Sequence, residues 1–401
     1  MTTIVIIGAG ECGTRAAFEL RERGWQDRIV LIGAEPGLPY ERPPLSKPTS
    51  DGVSLRLVCD DIALRAAGIE YFGGVDVETL DRAHRCVRLA DGRSVAYAKV
   101  LLATGARPRP MHCPGGDRAL TFRTLPDAET LYRRTANAAH VAVVGAGLIG
   151  MELAATLRTA GIDVTVIEAG PRPLGRGVPE ALAARLHARH CDEGVRFLFN
   201  AGVSSIDGDT VVLSDGTTVT ADVVVAAIGV LPDTSLAERA GLAVDNGIVV
   251  DATLATLDPD VFAAGDCARV PSRYANGVPL RLESWRNARE QGAHAAKAML
   301  GDAAAFDAVP WFWSDQYDLG LQVVGIPVPG QRNVVRRLSS DAELLFQLAD
   351  DGSVRCASGL GVGNRVARDI RLAEMLIARR VRTVPEVLQD PAADLRSLIR
   401  Q

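Results

Sequence analysis

Two stretches of this chain carry glycines at a spacing that suits phosphate chemistry. Residues 4 to 13 read IVIIGAGECG, and residues 141 to 150 read VAVVGAGLIG. In each, an apolar strand runs into G-x-G-x-x-G and then into a helix. The first glycine (Gly8, Gly145) permits a tight turn, the second (Gly10, Gly147) lets a pyrophosphate approach the backbone, and the third (Gly13, Gly150) lets helix and strand pack closely. The helix N-terminus adds positive potential for the phosphates. A second strand follows each helix and ends at an acid, Glu35 after RIVLIG and Glu168 after DVTVI, where a carboxylate can bind a ribose hydroxyl. Two complete copies imply two dinucleotides. Glu168 also repels a 2′-phosphate, which favours NADH over NADPH, while Arg172 close by pulls the other way.

A third stretch, YERPPLSK at 40 to 47, presents a single lysine on a stiffened backbone. Pro39, Pro43 and Pro44 fix their own φ and restrain the residues before them, so the position of Lys47 is set in advance. An ordinary surface turn with a solvated lysine is the alternative. Further on, VLLATGARPRP (100 to 110) and VVVAAIGVLPD (223 to 233) are buried strands that end in glycine and then proline, as at crossings between domains. VFAAGDCARV (261 to 270) places Gly265 and Asp266 at the carboxyl end of a strand, where parallel sheets bind ligands. Asp266 there suits a ribityl hydroxyl or a phosphate reached through water; capping the next helical turn is the alternative.

The elements that must position these residues fit the bulk properties. The chain has 401 residues, 47% of them hydrophobic, enough for two or three packed α/β domains. Its net charge of −5 excludes a general nucleic-acid binder. The seven cysteines are scattered without a C-x-x-C or C-x4-C pair, which fits reduced thiols. His187, His190 and Cys191 fall together on a helix, but no second ligand group stands near in sequence, so they are read as structural and no metal is expected. The start, MTTIVIIGAGECG, has neither a basic flank nor a small-residue cleavage site, and its apolar run is too short to span a bilayer; the expectation is a cytoplasmic protein.

GAGECG, LPYERPPLSK, LLATGARPRP, FRTLPDAE, GAGLIGMELAATL, AGDCAR, RLESWRNAREQG and PWFWSDQYDLGLQVVG follow one another along nearly the whole chain. In this order they resemble the FAD-dependent NADH:ferredoxin reductases of oxygenase systems, the group of putidaredoxin and rubredoxin reductases. The resemblance implies a glutathione-reductase-like α/β fold with two dinucleotide-binding domains and a C-terminal α+β interface domain. FAD-binding segments would occupy 1–110 and 237–309, an NAD-binding domain 111–236, and the interface domain 310–401. It also implies FAD contacts at Gly8, Gly10, Cys12, Gly13, Arg42, Lys47, Val77, Arg123, Gly265, Asp266 and Trp285. NAD(H) would meet Gly145, Gly147, Ile149, Gly150, Glu152, Glu168 and Gly229. The family pattern has an acid where this chain has Ala34, so Glu35 takes over the FAD ribose or nothing does. Glu11 and Cys12 also replace commoner residues of the turn, changing what lines it.

The implied reaction passes a hydride from NADH to FAD and then single electrons to a [2Fe–2S] ferredoxin feeding an oxygenase or cytochrome P450. A cation at Lys47 suits the charge that develops on reduction, and a Lys47–Glu152 pair is expected near the reacting atoms. Trp311 and Trp313 fall on one face of a strand and Phe312 on the other; Trp313 is either core or the electron exit, and the resemblance favours the exit. The final segment is rich in arginine and has no lysine. Arg365, Arg368 and Arg371 there either meet an acidic ferredoxin or form a solvated helix face. A disulfide reductase, or an NADH oxidase or peroxidase, needs a flavin-side cysteine that residues 40 to 47 do not supply, though Cys12 warrants thiol labelling. A signalling flavoprotein like apoptosis-inducing factor is disfavoured by the absence of a targeting segment and of a basic patch.

Overall fold

The computed structural model describes residues 2–49 and 52–400 and divides into two compact units. The first comprises 1–43, 55–107 and 230–308; the second comprises 44–54, 108–229 and 309–401. Each is built on a five-stranded parallel sheet.

In the first unit the strands lie in the order Val261–Ala263, Lys99–Leu102, Thr3–Ile7, Arg28–Gly33 and Ile69–Gly73, every neighbouring pair parallel. Ile4, Val5 and Ile6 are fully buried, as expected of a central strand covered on both faces. The chain leaves the first strand to build outward on one side and then returns to build on the other. The carboxyl end of Thr3–Ile7 is therefore a topological switch point, and the first glycine turn sits there. The helix Glu11–Glu22 begins at once, with Gly10 as its N-cap.

The second unit repeats this plan. Its order is Arg196–Leu198, Asp163–Ile167, His140–Val144, Val223–Ala226 and Leu120–Thr121, again all parallel. The second glycine turn follows His140–Val144 and leads into the helix Leu148–Thr159. The same unit carries a five-stranded antiparallel sheet, Trp311–Gln316, Leu319–Gly325, Val354–Val362, Glu343–Leu348 and Val334–Arg337 in spatial order, followed by the helix Ala367–Ala378. One continuous apolar core joins the two sheets: Val141, Val143, Leu153 and Leu186 cluster with Leu319, Leu321, Val323 and Leu360. Among the described residues no helix is long and apolar enough to cross a membrane.

The glycine turns show why the third glycine cannot grow while the second can. A Cβ on Gly13 would meet the Gly8 carbonyl oxygen at 1.9 Å, and one on Gly150 would meet the Gly145 oxygen at 1.9 Å. Gly10 and Gly147 have nothing within 4 Å. Gly13→Ala should therefore destabilise the fold by about 1–3 kcal/mol, the range for overpacking a tight site. Gly10→Ala should leave unfolding of the flavin-free protein within about 0.5 kcal/mol of the parent, as for an open surface position. Its loss should instead be in FAD affinity. Urea unfolding of the apoprotein together with FAD titration separates the two cases.

Candidate active site

In the first unit, Cys12, Gly265 and Trp285 of the expected FAD residues lie close to the first glycine turn. Gly8 has φ +110°, and a Cβ there would lie 2.0 Å from the Ala103 carbonyl oxygen, so the turn presses against the next strand. Cys12 lies directly beneath Gly265: a Cβ on that glycine would meet the Cys12 sulfur at 3.3 Å. Burial pushes the Cys12 thiol well above its ordinary range, which argues against a reactive thiolate. The neighbouring Glu11 is also buried. Its carboxylate accepts from the Arg289 guanidinium at 3.2 Å, while burial raises its pKa. The turn Gly265–Cys267, which carries Asp266, is oriented from the helix Trp285–Met299. Gly265 N–H donates to the Gln291 side chain at 2.7 Å, and Gln291 in turn donates to Asn287. Ser284 caps that helix through Asn287 N–H, placing Trp285 in its first position.

Glu35 is held rather than free. Tyr40 donates to one of its oxygens, and Arg42 to the other at 2.7 Å. Ala34 is exposed, and Val77 stands half-buried at the start of the strand Val77–Asp81.

The second unit repeats the cradle. Gly145 has φ +103°, and a Cβ there would meet the Ala227 carbonyl oxygen at 2.5 Å. Ile149, in the first turn of the helix, is exposed, and Gly229 has φ +96°. Glu168 lies across this turn, accepting from Ala146 N–H and Gly170 N–H, both at 2.7 Å. Both terminal nitrogens of Arg172 are engaged by its own loop, donating to the carbonyls of Pro173, Leu174, Gly175 and Val178 at 3.2–3.4 Å. Both glycine turns thus offer an open second glycine and a helix start without a side-chain cap, the form a pyrophosphate fits.

Lys47 and Arg123 also belong to the second unit. Arg123 immediately precedes a helix whose start is closed by a reciprocal pair between Thr124 and Asp127. The expected Lys47–Glu152 pair is present, with the ammonium 3.3 Å from the carboxylate. Glu152 is 6% exposed. Its oxygens also accept from Ser46 Oγ at 2.5 Å and Ser314 Oγ at 2.7 Å. The Asp315 carboxylate lies 3.9 Å from the same ammonium and accepts from Trp313 Nε1 at 3.2 Å. Trp313 is half-buried and stacks on Trp311 with ring centres 5.3 Å apart, so it covers an outer face, while Phe312 packs against the core.

The lysine loop is fixed from outside as well as by its prolines. Tyr132 Oη donates to the Leu45 carbonyl at 2.8 Å, and Thr156 Oγ1 to the Ser46 carbonyl at 2.7 Å. Ser46, Tyr132, Thr156 and Ser314 carry no motif, and only Ser314 left a trace in the sequence. Phe312, Ser314 and Gln316 share one face of a strand, and two polar residues on a core-facing row call for buried partners.

The distal arginines are largely paired within the chain. Arg365 donates to both carboxylate oxygens of Asp341 and Arg371 to Glu374, while Arg368 is exposed. His187 lies 3.4 Å from the Cys191 sulfur. Among the described residues no three His, Cys, Asp or Glu side chains could hold a metal.

Two family models cover the chain: pyridine nucleotide-disulphide oxidoreductase over residues 2–292 and reductase C-terminal over 311–399. The chain belongs to the pyridine nucleotide-disulphide oxidoreductase family. It is 40% identical over 98% of its length to the anthranilate 1,2-dioxygenase system ferredoxin–NAD(+) reductase component of Burkholderia cepacia, covering 98% of that protein. It is 38% identical to rhodocoxin reductase of Rhodococcus erythropolis, over 99% of this chain and 94% of that one. The ferredoxin reductase for the CYP199A2 system from Rhodopseudomonas palustris superposes with a TM-score of 0.94 at 35% identity, covering 99% of both chains. Putidaredoxin reductase in its covalent complex with putidaredoxin gives 0.91 at 34%, over 100% of this chain and 98% of the other. Family members use FAD and NAD(H), and the two glycine cradles suit those groups.

His190 gives this part of the family fold a measurable acid sensitivity. It is fully buried, and burial lowers its pKa from the usual 6.5 to about 4. Above the unfolded value both states are neutral and the full stability is present. As pH falls toward the folded value, the unfolded chain takes up a proton that the fold refuses, and stability is lost. Between pH 7 and pH 4.5 this one group should contribute a loss of about 2–3 kcal/mol. His190→Gln should flatten urea-unfolding stability against pH by about that amount; an unchanged slope would show that His190 is not a buried neutral base.

Proposed function

We propose that the protein is an NADH-dependent ferredoxin reductase of a cytoplasmic oxygenase or cytochrome P450 system, with a [2Fe–2S] ferredoxin as acceptor. The observation that carries this reading is the near-full-length identity with a ferredoxin–NAD(+) reductase component, C-terminal module included. In this reading, segments 1–110 and 237–309 bind FAD, 111–236 binds NAD(H), and 310–401 faces the ferredoxin.

When bound, FAD accepts a hydride and gives up electrons one at a time, which couples a two-electron donor to a one-electron iron–sulfur acceptor. The residues supply placement and charge. The turn at Gly8, Gly10, Cys12 and Gly13 holds the FAD pyrophosphate; Val77, Arg123, Gly265, Asp266 and Trp285 take its remaining contacts, and Glu35 with Arg42 borders its adenosine end. The turn at Gly145, Gly147, Ile149 and Gly150, with Gly229, holds NAD(H), and Glu168 receives its ribose. Lys47 provides a positive charge where reduction adds negative charge, and Glu152 keeps that ammonium in place at little cost in reorganisation.

Preference for NADH is supported by the engagement of Arg172. With both terminal nitrogens bonded to four backbone carbonyls, that guanidinium could not turn its Nη1–Nη2 edge to a 2′-phosphate without breaking its loop, and Glu168 repels one.

The direct test is purification with bound yellow FAD, followed by NADH-driven reduction of ferricyanide and of a [2Fe–2S] ferredoxin. A chain that reduces ferricyanide but no ferredoxin would overturn the assignment of partner. kcat/KM should be higher with NADH than with NADPH, and Glu168→Ala should narrow the gap about tenfold, as for a hydrogen bond to a charged group. Equal use of both nucleotides by the parent would refute the preference.

Trp313→Ala should retain FAD and ferricyanide activity while ferredoxin-coupled turnover falls about tenfold or more, because a half-buried indole acts as an interface anchor. Parallel loss of both activities in a variant that retains FAD would place Trp313 in the common machinery instead of at the exit.

A further inference from the structure

Behind the Lys47–Glu152 pair runs a line of buried polar side chains that reaches through the C-terminal sheet to the helix Glu180–Asp192. Glu152 is followed by Ser314 at 2.7 Å, Gln316 at 3.1 Å and His190 at 3.0 Å. Ser314, Gln316 and His190 are at most 1% exposed. None of the three was expected to take part in the chemistry.

The hydrogen positions along this line follow from its first member. An ionised carboxylate only accepts, so the Ser314 hydroxyl donates to Glu152 and must itself accept from behind. That turns the Gln316 amide nitrogen toward Ser314 and its carbonyl oxygen toward His190. His190 must then carry its proton on Nε2, leaving Nδ1 as an acceptor toward the Tyr317 hydroxyl, 3.5 Å away. Every donor points toward Glu152, and such chains polarise in the same sense along their length. The line does not conduct protons, because the amide of Gln316 would have to give up one N–H proton while taking another on its oxygen. Its work is to hold.

What it holds is one oxygen of Glu152. The other oxygen faces Ser46 and Lys47. Charged and titratable groups converge on this carboxylate from three sides: Lys47 from the lysine loop, Tyr132 from the helix Leu125–Thr135, and Asp315 through its approach to Lys47. Without Ser314 the carboxylate would be held at one oxygen only, by Ser46 and Lys47, and its second oxygen could swing about that anchor. The strand Trp311–Gln316 thus grips the charge pair twice, by Ser314 on its inner face and by Asp315 on its outer face.

We infer that Ser314 is a positioning residue for the reaction, backed by Gln316 and His190, and that the C-terminal sheet thereby sets the orientation of the Glu152 carboxylate and of the Lys47 ammonium. This rests on the proposed role of Lys47 and Glu152 in NADH-driven flavin reduction.

The test uses the FAD-loaded protein. Stopped-flow bleaching by NADH gives the limiting rate and the half-saturating concentration, and dye equilibration gives the midpoint potential of the bound FAD. Ser314→Ala should lower the limiting rate about tenfold, the loss of one hydrogen bond to a charged group, with little change in half-saturation. In a Glu152→Gln background the same substitution should have almost no further effect, because coupled residues are not additive. Ser314→Ala and Glu152→Gln should shift the potential in the same direction. Gln316→Met, which leaves the serine hydroxyl in place, should give a smaller effect of the same kind and keeps the inference testable should Ser314→Ala fold poorly. Parental rates in both Ser314→Ala and Gln316→Met, or full additivity with Glu152→Gln, would overturn the inference. A parent that binds no FAD or is not bleached by NADH would instead overturn the proposed function.

Discussion

A carboxylate buried in a protein is tolerated only when it is neutralised and its lone pairs are filled. Glu152 meets both conditions, and much of the second unit is arranged to let it. One cation and two hydroxyls converge on it from the lysine loop and from the C-terminal sheet, segments more than a hundred residues away on either side in sequence. Removing any one of them leaves an under-satisfied charge in a poorly hydrated place, at about 1–3 kcal/mol or more. The charge therefore acts as a fastener: the glycine-turn helix, the proline loop and the antiparallel sheet must dock correctly for Glu152 to be tolerated at all. The shared apolar core of that unit supplies the bulk of the attraction.

The two glycine turns work by a different economy. Each lies at the switch point of its sheet, where neighbouring strands diverge and leave a crevice. Close packing at the first and third glycines fixes the turn, while the space beside the second is open. The acids that follow are used differently in the two copies. Glu168 folds back onto the glycine turn itself, whereas Glu35 is engaged by Tyr40 and Arg42 from the lysine loop. An identical sequence plan thus gives two glycine turns followed by acids in different surroundings.

Local patterns made the cradles legible in the sequence, because strand, glycine spacing, helix and acid lie within about thirty residues of one another, the length of a single βαβ unit. The Lys47–Glu152 pair was legible only through the resemblance. Ser46, Tyr132 and Thr156 were not legible, and Ser314 only by its place on a core-facing row, since serine, threonine and tyrosine are common and nothing local marks what each will bond. The prolines pointed correctly to a fixed loop but did not reveal that hydrogen bonds from Tyr132 and Thr156 hold it as well. Arg172 read as a possible phosphate ligand because sequence shows a charge and not its partners; the fold spends that charge on backbone carbonyls. Arg365 is a similar case, paired with Asp341 that the fold brings close, whereas Arg371 pairs with Glu374 one turn along its own helix.

The thiols whose acidity the fold perturbs are all shifted away from the reactive thiolate. All seven cysteines are unpaired, and burial raises Cys12, Cys267 and Cys356, the last to about 12, while Cys59 is pushed up to about 11. A thiol held protonated at neutral pH is a poor nucleophile and does not exchange disulfides readily. The stretch at 40 to 47, which holds no cysteine, presents a lysine instead. A covalent sulfur relay passes electrons by making and breaking bonds, and it needs a partner thiol within reach. A lysine held by a buried carboxylate makes no bond with what it serves. In the role proposed for it, Lys47 would act by position alone, and the carboxylate that pairs with it accepts at its other oxygen from Ser314 in the C-terminal sheet.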